Sequence, residues 1–449
     1  MSSRYVFQRH CHAVLPTAVG GDGVYVIDKD GKRYLDACGG AAVSCLGHSN
    51  KNVTAAIKQQ LDRLAYAHTS FFTSDPAEQL AEYLALRAPE PLNRVYFVSG
   101  GSEAVEAALK LSRQYFMESG KPEKHNIIAR WQSYHGNTLG ALATGGNKWR
   151  RAQFAPMLSN AMHHIDPCYA YRHQLASEDE EAYGQRVAQQ LEAKILELGP
   201  ETVAAFVAEP VVGATMGAVA AVPGYFKTIS EICTKYDVLL ILDEVMCGMG
   251  RTGNLFACEH DNIIPDMITF AKGLGAGYQP IGALMVTDHI HDAIAQGSGF
   301  FQHGHTYLGH PASCAGALAV LTEIEEQELL PAVQKNGAFL LNALHDAFDD
   351  HPHVGDIRGR GMFCGLELVD DQETKRPFES RLKVNAKIKS AAMGNQLMCY
   401  PMGGTVDGVN GDHILLAPPF IINESQIAEM IEKLTKSIES GISASLALV

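Results

Sequence analysis

The chain has 449 residues, 46% of them hydrophobic, and its 50 acidic against 36 basic side chains give a formal charge of −14. That length and apolar content suffice for a sizeable core and two domains, while the acidic balance excludes the basic footprint of a nucleic-acid or anionic-membrane binder. No apolar run approaches the roughly 18 residues of a membrane span, and residues 1–10 hold no apolar signal core, so the expected compartment is the cytoplasm.

From the N-terminus, residues 24–27 and 33–35 flank the turn Lys29-Asp30-Gly31 and read as a hairpin. Residues 95–98 read as a strand and 104–115 as a helix, with Ser99-Gly-Gly-Ser-Glu103 between them. Backbone N–H groups of Gly101 and Ser102 at a helix N-terminus suit a phosphate; the other reading of Ser102 is an N-cap. No Gly-x4-Gly-Lys-[Ser/Thr] run exists, which disfavours a nucleotide P-loop. The run 127–129 leads into Trp131-Gln-Ser-Tyr134-His135-Gly136, where Tyr134 is placed either to stack on a flat ligand or to pack as a half-buried aromatic. Residues 203–208 end in Glu209-Pro210.

Residues 238–242 end in Asp243 and Glu244, with Cys247 close behind as a candidate reactive thiol. Met267–Phe270 is followed by Lys272 and a string of glycines. One strand-helix-strand unit fits between Asp243 and Lys272, so a carboxylate and an amine meet at neighbouring strand ends. A lysine that forms a Schiff base with an aldehyde, and an acid that holds a ring nitrogen protonated, together suit pyridoxal 5'-phosphate.

Further on, His303, His305 and His310 offer a rival metal site of the kind a metal-dependent hydrolase uses, although zinc usually takes a carboxylate or cysteine as well. His163 with His164 reads as a surface pair. Residues 361–368 and 413–416 read as strands and 424–438 as a helix. Alternating strands and helices assign 56–329 to a large α/β domain with a mostly parallel sheet; residues 1–55 and 330–449 form a small α+β domain from both chain ends. The ten cysteines include no Cys-x-x-Cys pair and read as reduced and mostly buried.

In order and spacing, Gly-Ser-Glu-Ala at 101–104, Tyr134-His135-Gly136, Glu209-Pro210, Leu242-Asp243-Glu244-Val245 with Gly250-Arg251-Thr252-Gly253, Ala271-Lys272-Gly273, and His305-Thr306-Tyr307 with Pro311 resemble the class III aminotransferases, pyridoxal-phosphate enzymes of fold type I. The likeness covers nearly the whole chain. It implies that Lys272 is the covalent anchor and catalytic base, that Asp243 holds the ring nitrogen, and that Tyr134 and Val245 lie on the two ring faces. It also implies Gly101 and Ser102 on the phosphate, His135 and Glu209 among the cofactor contacts, and Thr306 reaching the neighbouring subunit's cofactor in a homodimer or dimer of dimers with shared sites.

The pattern is nearest to amine or ω-amino acid:pyruvate transaminases, which implies ping-pong transfer from such a donor to a keto acid, pyruvate foremost. Family members that handle glutamate or ornithine carry an arginine where Leu415 stands, and a mobile arginine of other members has no counterpart in residues 403–411. A carboxylate is then left to Arg151, Arg358 or backbone amides. Phe71 and Phe72 resemble pocket aromatics of the amine:pyruvate group, core packing being the alternative. A 2-oxoglutarate-dependent aminotransferase, a dialkylglycine-type decarboxylase and an aminomutase share the same lysine and stay open.

Overall fold

A computed structural model describes residues 5–447; residues 1–4 and 448–449, the outermost part of the expected small domain, lie outside them. In chain order the strands are β1 (Ala18–Asp22), β2 (Tyr25–Asp28), β3 (Arg33–Asp36), β4 (Leu92–Val98), β5 (Asn126–Arg130), β6 (Met162–Ile165), β7 (Val203–Ala208), β8 (Val211–Val212), β9 (Val219–Ala220), β10 (Leu239–Asp243), β11 (Met267–Phe270), β12 (Gly282–Thr287), β13 (Val354–Arg360), β14 (Phe363–Leu368), β15 (Leu397–Met398), β16 (Tyr400–Gly403) and β17 (Asp412–Leu416).

The central sheet has the order β4-β12-β11-β10-β7-β5-β6. Strands β11, β10, β7, β5 and β6 pair in parallel. Strand β12 runs antiparallel between β11 and β4, so β4 shares the common direction. Every residue of β7, β10 and β11 is buried, the unbroken apolar pattern of a sheet covered on both faces. Ile127, Ala205, Val207, Leu239 and Ile241 join one core with Val105, Ala108 and Leu109 of the helix Gly101–Glu118. The alternate residues Ile128, Phe206, Leu240 and Leu242 join another with Tyr183 and Leu191 of the helix Glu180–Leu198 and with Phe226 and Ile229 of the helix Tyr225–Lys235. The two-residue period of the strands decides this division.

Between β10 and β11 the expected helix is replaced by loops and a single 3-10 turn, Ala257–Asp261. Gly248, Gly250 and Gly253 break the helical pattern there, the last two at φ +88° and +99°. Glu244 holds the connection instead, accepting N–H bonds from Ala257 at 2.6 Å and Cys258 at 2.8 Å.

The N-terminal strands β1, β2 and β3 form an antiparallel meander. Strand β15 joins β3 in parallel through Leu397 and Leu35, bringing the two chain ends into one sheet. A separate sheet has the order β13-β14-β17-β16. Gly361, at φ +58°, turns β13 into β14, so the strand expected from 361 starts at Phe363. The C-terminal helix Glu424–Leu446 outruns its expected end at 438. Among the described residues no helix is long and apolar enough to cross a membrane.

Candidate active site

Strands that share a direction present their C-terminal ends along one edge of the sheet, where an open α/β fold binds its ligands. Gly101 and Ser102 lie just beyond β4, Tyr134 and His135 beyond β5, and Glu209 directly after β7. Asp243 ends β10, and Lys272 is the second residue after β11. These seven, with Gly136, Val245 and Met246, line one cavity of about 130 Å³. An apolar cavity of roughly 150 Å³ accepts a benzene-sized ring, so the space is on the scale of one aromatic ring.

Lys272 opens a short turn at φ +39°. That left-handed conformation is held by the Lys272 carbonyl accepting the Ala276 N–H at 2.9 Å and by the Ala271 carbonyl accepting the Leu274 N–H at 2.8 Å. Among the described residues Nζ has no hydrogen-bond or ion-pair partner. Burial draws its pKa down from 10.5 to about 8, with Asp243 and Glu209 opposing the shift and the Arg150 charge adding to it. A lysine so tuned is a competent nucleophile and proton carrier near neutral pH.

Asp243 is buried, and both its oxygens are engaged: Oδ1 accepts the Val245 N–H at 3.0 Å, and Oδ2 meets His135 Nδ1 at 2.7 Å. His135 Nε2 is buried and has no hydrogen-bond partner among the described residues. Glu209 accepts the Tyr134 N–H at 3.0 Å and the Gly213 N–H at 3.1 Å, which fixes the Tyr134 backbone to the end of β7. Burial raises the Glu209 pKa, while the neighbouring His135 works against the rise. The Tyr134 phenol is likewise pushed up by burial.

The helix Gly101–Glu118 starts three residues earlier than its apolar pattern, so Gly101 and Ser102 sit inside its first turn. Gly100 is the N-cap and supplies no side-chain bond, which excludes the N-cap reading of Ser102 and leaves the first-turn N–H groups of the helix uncapped by a side chain. Ser102 Oγ accepts the Asn137 N–H at 3.1 Å. Gly101 is required by closeness, since a Cβ there would lie 2.8 Å from Val245 Cγ1. Unpaired first-turn N–H groups, an unpartnered amine, a buried carboxylate and flanking Tyr134 and Val245 fit a flat anionic aldehyde.

Other expected residues stand elsewhere. Thr306 and Phe72 line a separate cleft of about 660 Å³, and Phe71 and Phe72 are 79% and 67% exposed, which rules out core packing. His303 and His305 stand edge to face with ring centroids 4.9 Å apart, whereas His310 stacks on Tyr66. Among the described residues no group of three His, Cys, Asp or Glu is arranged to hold a metal. Cys247 is buried, and burial raises its thiol well above the ordinary value, which removes the thiolate a reactive cysteine needs. His164 is no surface histidine: it stacks on Trp131 at 4.3 Å, and burial draws its pKa down to about 4.

Both arginines offered for a carboxylate are already engaged. Arg151 Nη1 donates to the carbonyls of Leu142, Ala143 and Gly145. Arg358 donates to the carbonyls of Met216 and Gly217 and pairs with Asp356 and Glu367. The residue that sequence reasoning passed over is Arg150, whose guanidinium carbon lies 4.8 Å from the centre of the Tyr134 ring. Its signal was the Arg150-Arg151 doublet so soon after the Tyr134 loop. Leu415 is buried in an apolar cluster with Met246, Phe363 and the partly buried Tyr134.

A family model described as aminotransferase class-III matches residues 6–438. An uncharacterized aminotransferase of Schizosaccharomyces pombe is 44% identical over 98% of this chain and 96% of its own. A putrescine–pyruvate aminotransferase of Pseudomonas aeruginosa is 36% identical over 95% and 91%. A diaminobutyrate–2-oxoglutarate transaminase of Halomonas elongata is also 36% identical, over 93% and 89%. Among solved structures, an (S)-enantioselective ω-transaminase from Thermomicrobium roseum superposes with a TM-score of 0.89 at 35% identity, covering 96% of this chain and 93% of that one. The ω-transaminase of Pseudomonas jessenii in complex with PMP gives 0.91 at 33% identity, covering 97% of each.

Proposed function

The chain belongs to the class-III aminotransferase family, and from that premise we propose that it transfers an amino group from an amine or ω-amino acid to pyruvate by ping-pong kinetics. The observation that carries the reading is the unpartnered Lys272 amine, drawn down to about 8 beside Asp243, Tyr134 and Val245 in one cavity. Pyridoxal phosphate, when bound there, supplies an aldehyde that captures amines and a ring that takes up an electron pair from the substrate carbon. Residues 56–329 form its binding domain in this reading, and both chain ends form the small one.

With the cofactor bound, Lys272 would anchor it, and once displaced by the donor its amine would carry a proton from the substrate's amine-bearing carbon to the carbon that had held the lysine. Asp243 faces the ring nitrogen, its carboxylate fixed by the Val245 N–H and His135. Tyr134 and Val245 bracket the ring, and Gly101 and Ser102 meet the phosphate with the helix dipole behind them. Thr306 serves the cofactor of a second copy, and Phe71 and Phe72 border the donor pocket across that interface.

The acceptor follows from Leu415. A buried leucine in an apolar cluster offers nothing to the second carboxylate of a five-carbon diacid, which favours pyruvate, the acceptor named for the P. aeruginosa relative, over 2-oxoglutarate, named for that of H. elongata. Holoenzyme supplied with one amine donor and the two keto acids in competition is expected to favour pyruvate by at least about tenfold in kcat/KM. Preference for 2-oxoglutarate, or release of CO2 from a dialkylglycine donor, overturns the reading. K272A is expected to abolish steady-state transfer.

A further inference from the structure

A keto acid brings a carboxylate into the cavity, and neither position 415 nor residues 403–411 supplies a cation for it. The loop 404–411 is fixed in place: Gln132 Nε2 donates to the Gly404 and Thr405 carbonyls at 2.6 and 2.9 Å. Gly408 is seated on the helix Lys148–Ala152, where a Cβ at 408 would stand 3.3 Å from Lys148 Cβ and from the Trp149 nitrogen. The arginine-free loop is thus packed against a segment that carries two.

The two arginines of that helix have divided their work. Arg151 donates to three carbonyls of the preceding turn and anchors the helix. Asn147 caps it, accepting the Arg150 N–H at 3.1 Å. The Arg150 guanidinium, half-buried, lies over Tyr134; among the described residues no hydrogen bond or ion pair engages it. The two carboxylates of the cavity have other donors, Asp243 in Val245 and His135, Glu209 in Tyr134 and Gly213. We infer that Arg150 is the residue that receives the carboxylate of the keto-acid acceptor and of amino-acid donors at the Lys272 cavity. The assignment rests on the transaminase reading above. The charge at 150 is felt at Lys272, which sets the guanidinium within electrostatic reach of the reacting atoms.

A charge-assisted arginine–carboxylate contact that is lost typically weakens binding by about 10- to 100-fold. R150Q holoenzyme is therefore expected to show KM for pyruvate raised by about that factor, with R150K between it and wild type. The single-turnover rate with 1-phenylethylamine, which lacks a carboxylate, is expected to fall far less. Calorimetric titration of the holoenzyme with propionate, an unreactive acid, is expected to show the same weakening in R150Q. Arg9, whose charge also bears on Tyr134, lies on an exposed segment, and R9Q is expected to keep the wild-type KM. A wild-type enzyme that aminates no keto acid overturns the transaminase reading, and the propionate titration still decides the residue. Undiminished propionate binding in R150Q, or equal losses with pyruvate and 1-phenylethylamine, overturns the assignment of Arg150.

Discussion

Lys272 stays protonated in the unfolded chain up to its ordinary value near 10.5, but in the folded cavity burial draws it down to about 8. Between those values the unfolded chain holds a proton that the folded chain has released, so stability rises with pH through that window; below about 8 the buried ammonium costs a constant amount. At roughly 1.4 kcal/mol per pKa unit the cost at pH 7 is at most about 3.5 kcal/mol, lessened by the solvent the half-buried residue still meets. Cofactor-free K272M is accordingly expected to resist urea better than wild type by about 1–3 kcal/mol at pH 7, with the gap narrowing above about pH 8 and closing only above about pH 10.5. A gap that is constant with pH refutes the titration of Lys272. This lysine was legible because it follows an apolar run and precedes glycines, and Asp243, Glu209 and Tyr134 because each stands at the end of such a run. Arg150, Arg151 and Arg358 were not distinguishable, since a sequence displays a cation but not the carbonyls or carboxylates that folding brings to it.

At the scale of elements, the helix Gly101–Glu118 and the loop after β5 meet at Gly136. Its φ is +133°, and a Cβ there would stand 2.5 Å from Ser102 Oγ and 2.9 Å from Ser102 Cα. G136A is expected to cost about 1–3 kcal/mol from backbone strain, to push the helix start out of place, and to raise the dissociation constant for pyridoxal phosphate. The double variant S102A/G136A relieves the contact with Oγ but not the strain, so part of the lost thermal stability is expected to return. A G136A protein with wild-type Tm and cofactor affinity removes the strain argument. Periodicity carried the central strands because a sheet covered on both faces needs unbroken apolar runs. It misplaced the start of this helix, where Gly101 and Ser102 lend no apolar signal, and it passed over β13, whose Val-Gly-Asp-Ile-Arg-Gly-Arg is mostly half-buried and polar. It also supplied a helix between β10 and β11, because length alone does not reveal glycines that forbid one.

For the whole molecule the question is what covers the cleft around Thr306. Tyr66 donates to the Thr306 carbonyl at 2.7 Å and meets the Tyr307 ring edge-on at 5.8 Å, which joins the segment of Phe71 and Phe72 to the segment 300–309. Phe300 and Tyr307, on the second of these segments, are 63% and 61% exposed, and Phe300 lines the same cleft as Phe72. Several large aromatics open to water in one region are what the proposed pairing of two copies would cover. In a symmetric pair the same patch meets itself or its neighbour across the axis, and Thr306, which does not line its own chain's lysine cavity, is then free to serve another's. Wild-type protein is therefore expected to sediment as a dimer or a multiple of one. F71D/F72D is expected to shift it towards monomer, with specific activity falling in step with the dimer fraction as protein is diluted. Activity that stays constant per chain while the dimer dissociates would show that each chain completes its own site, and would remove Thr306 from the machinery along with the shared-site reading.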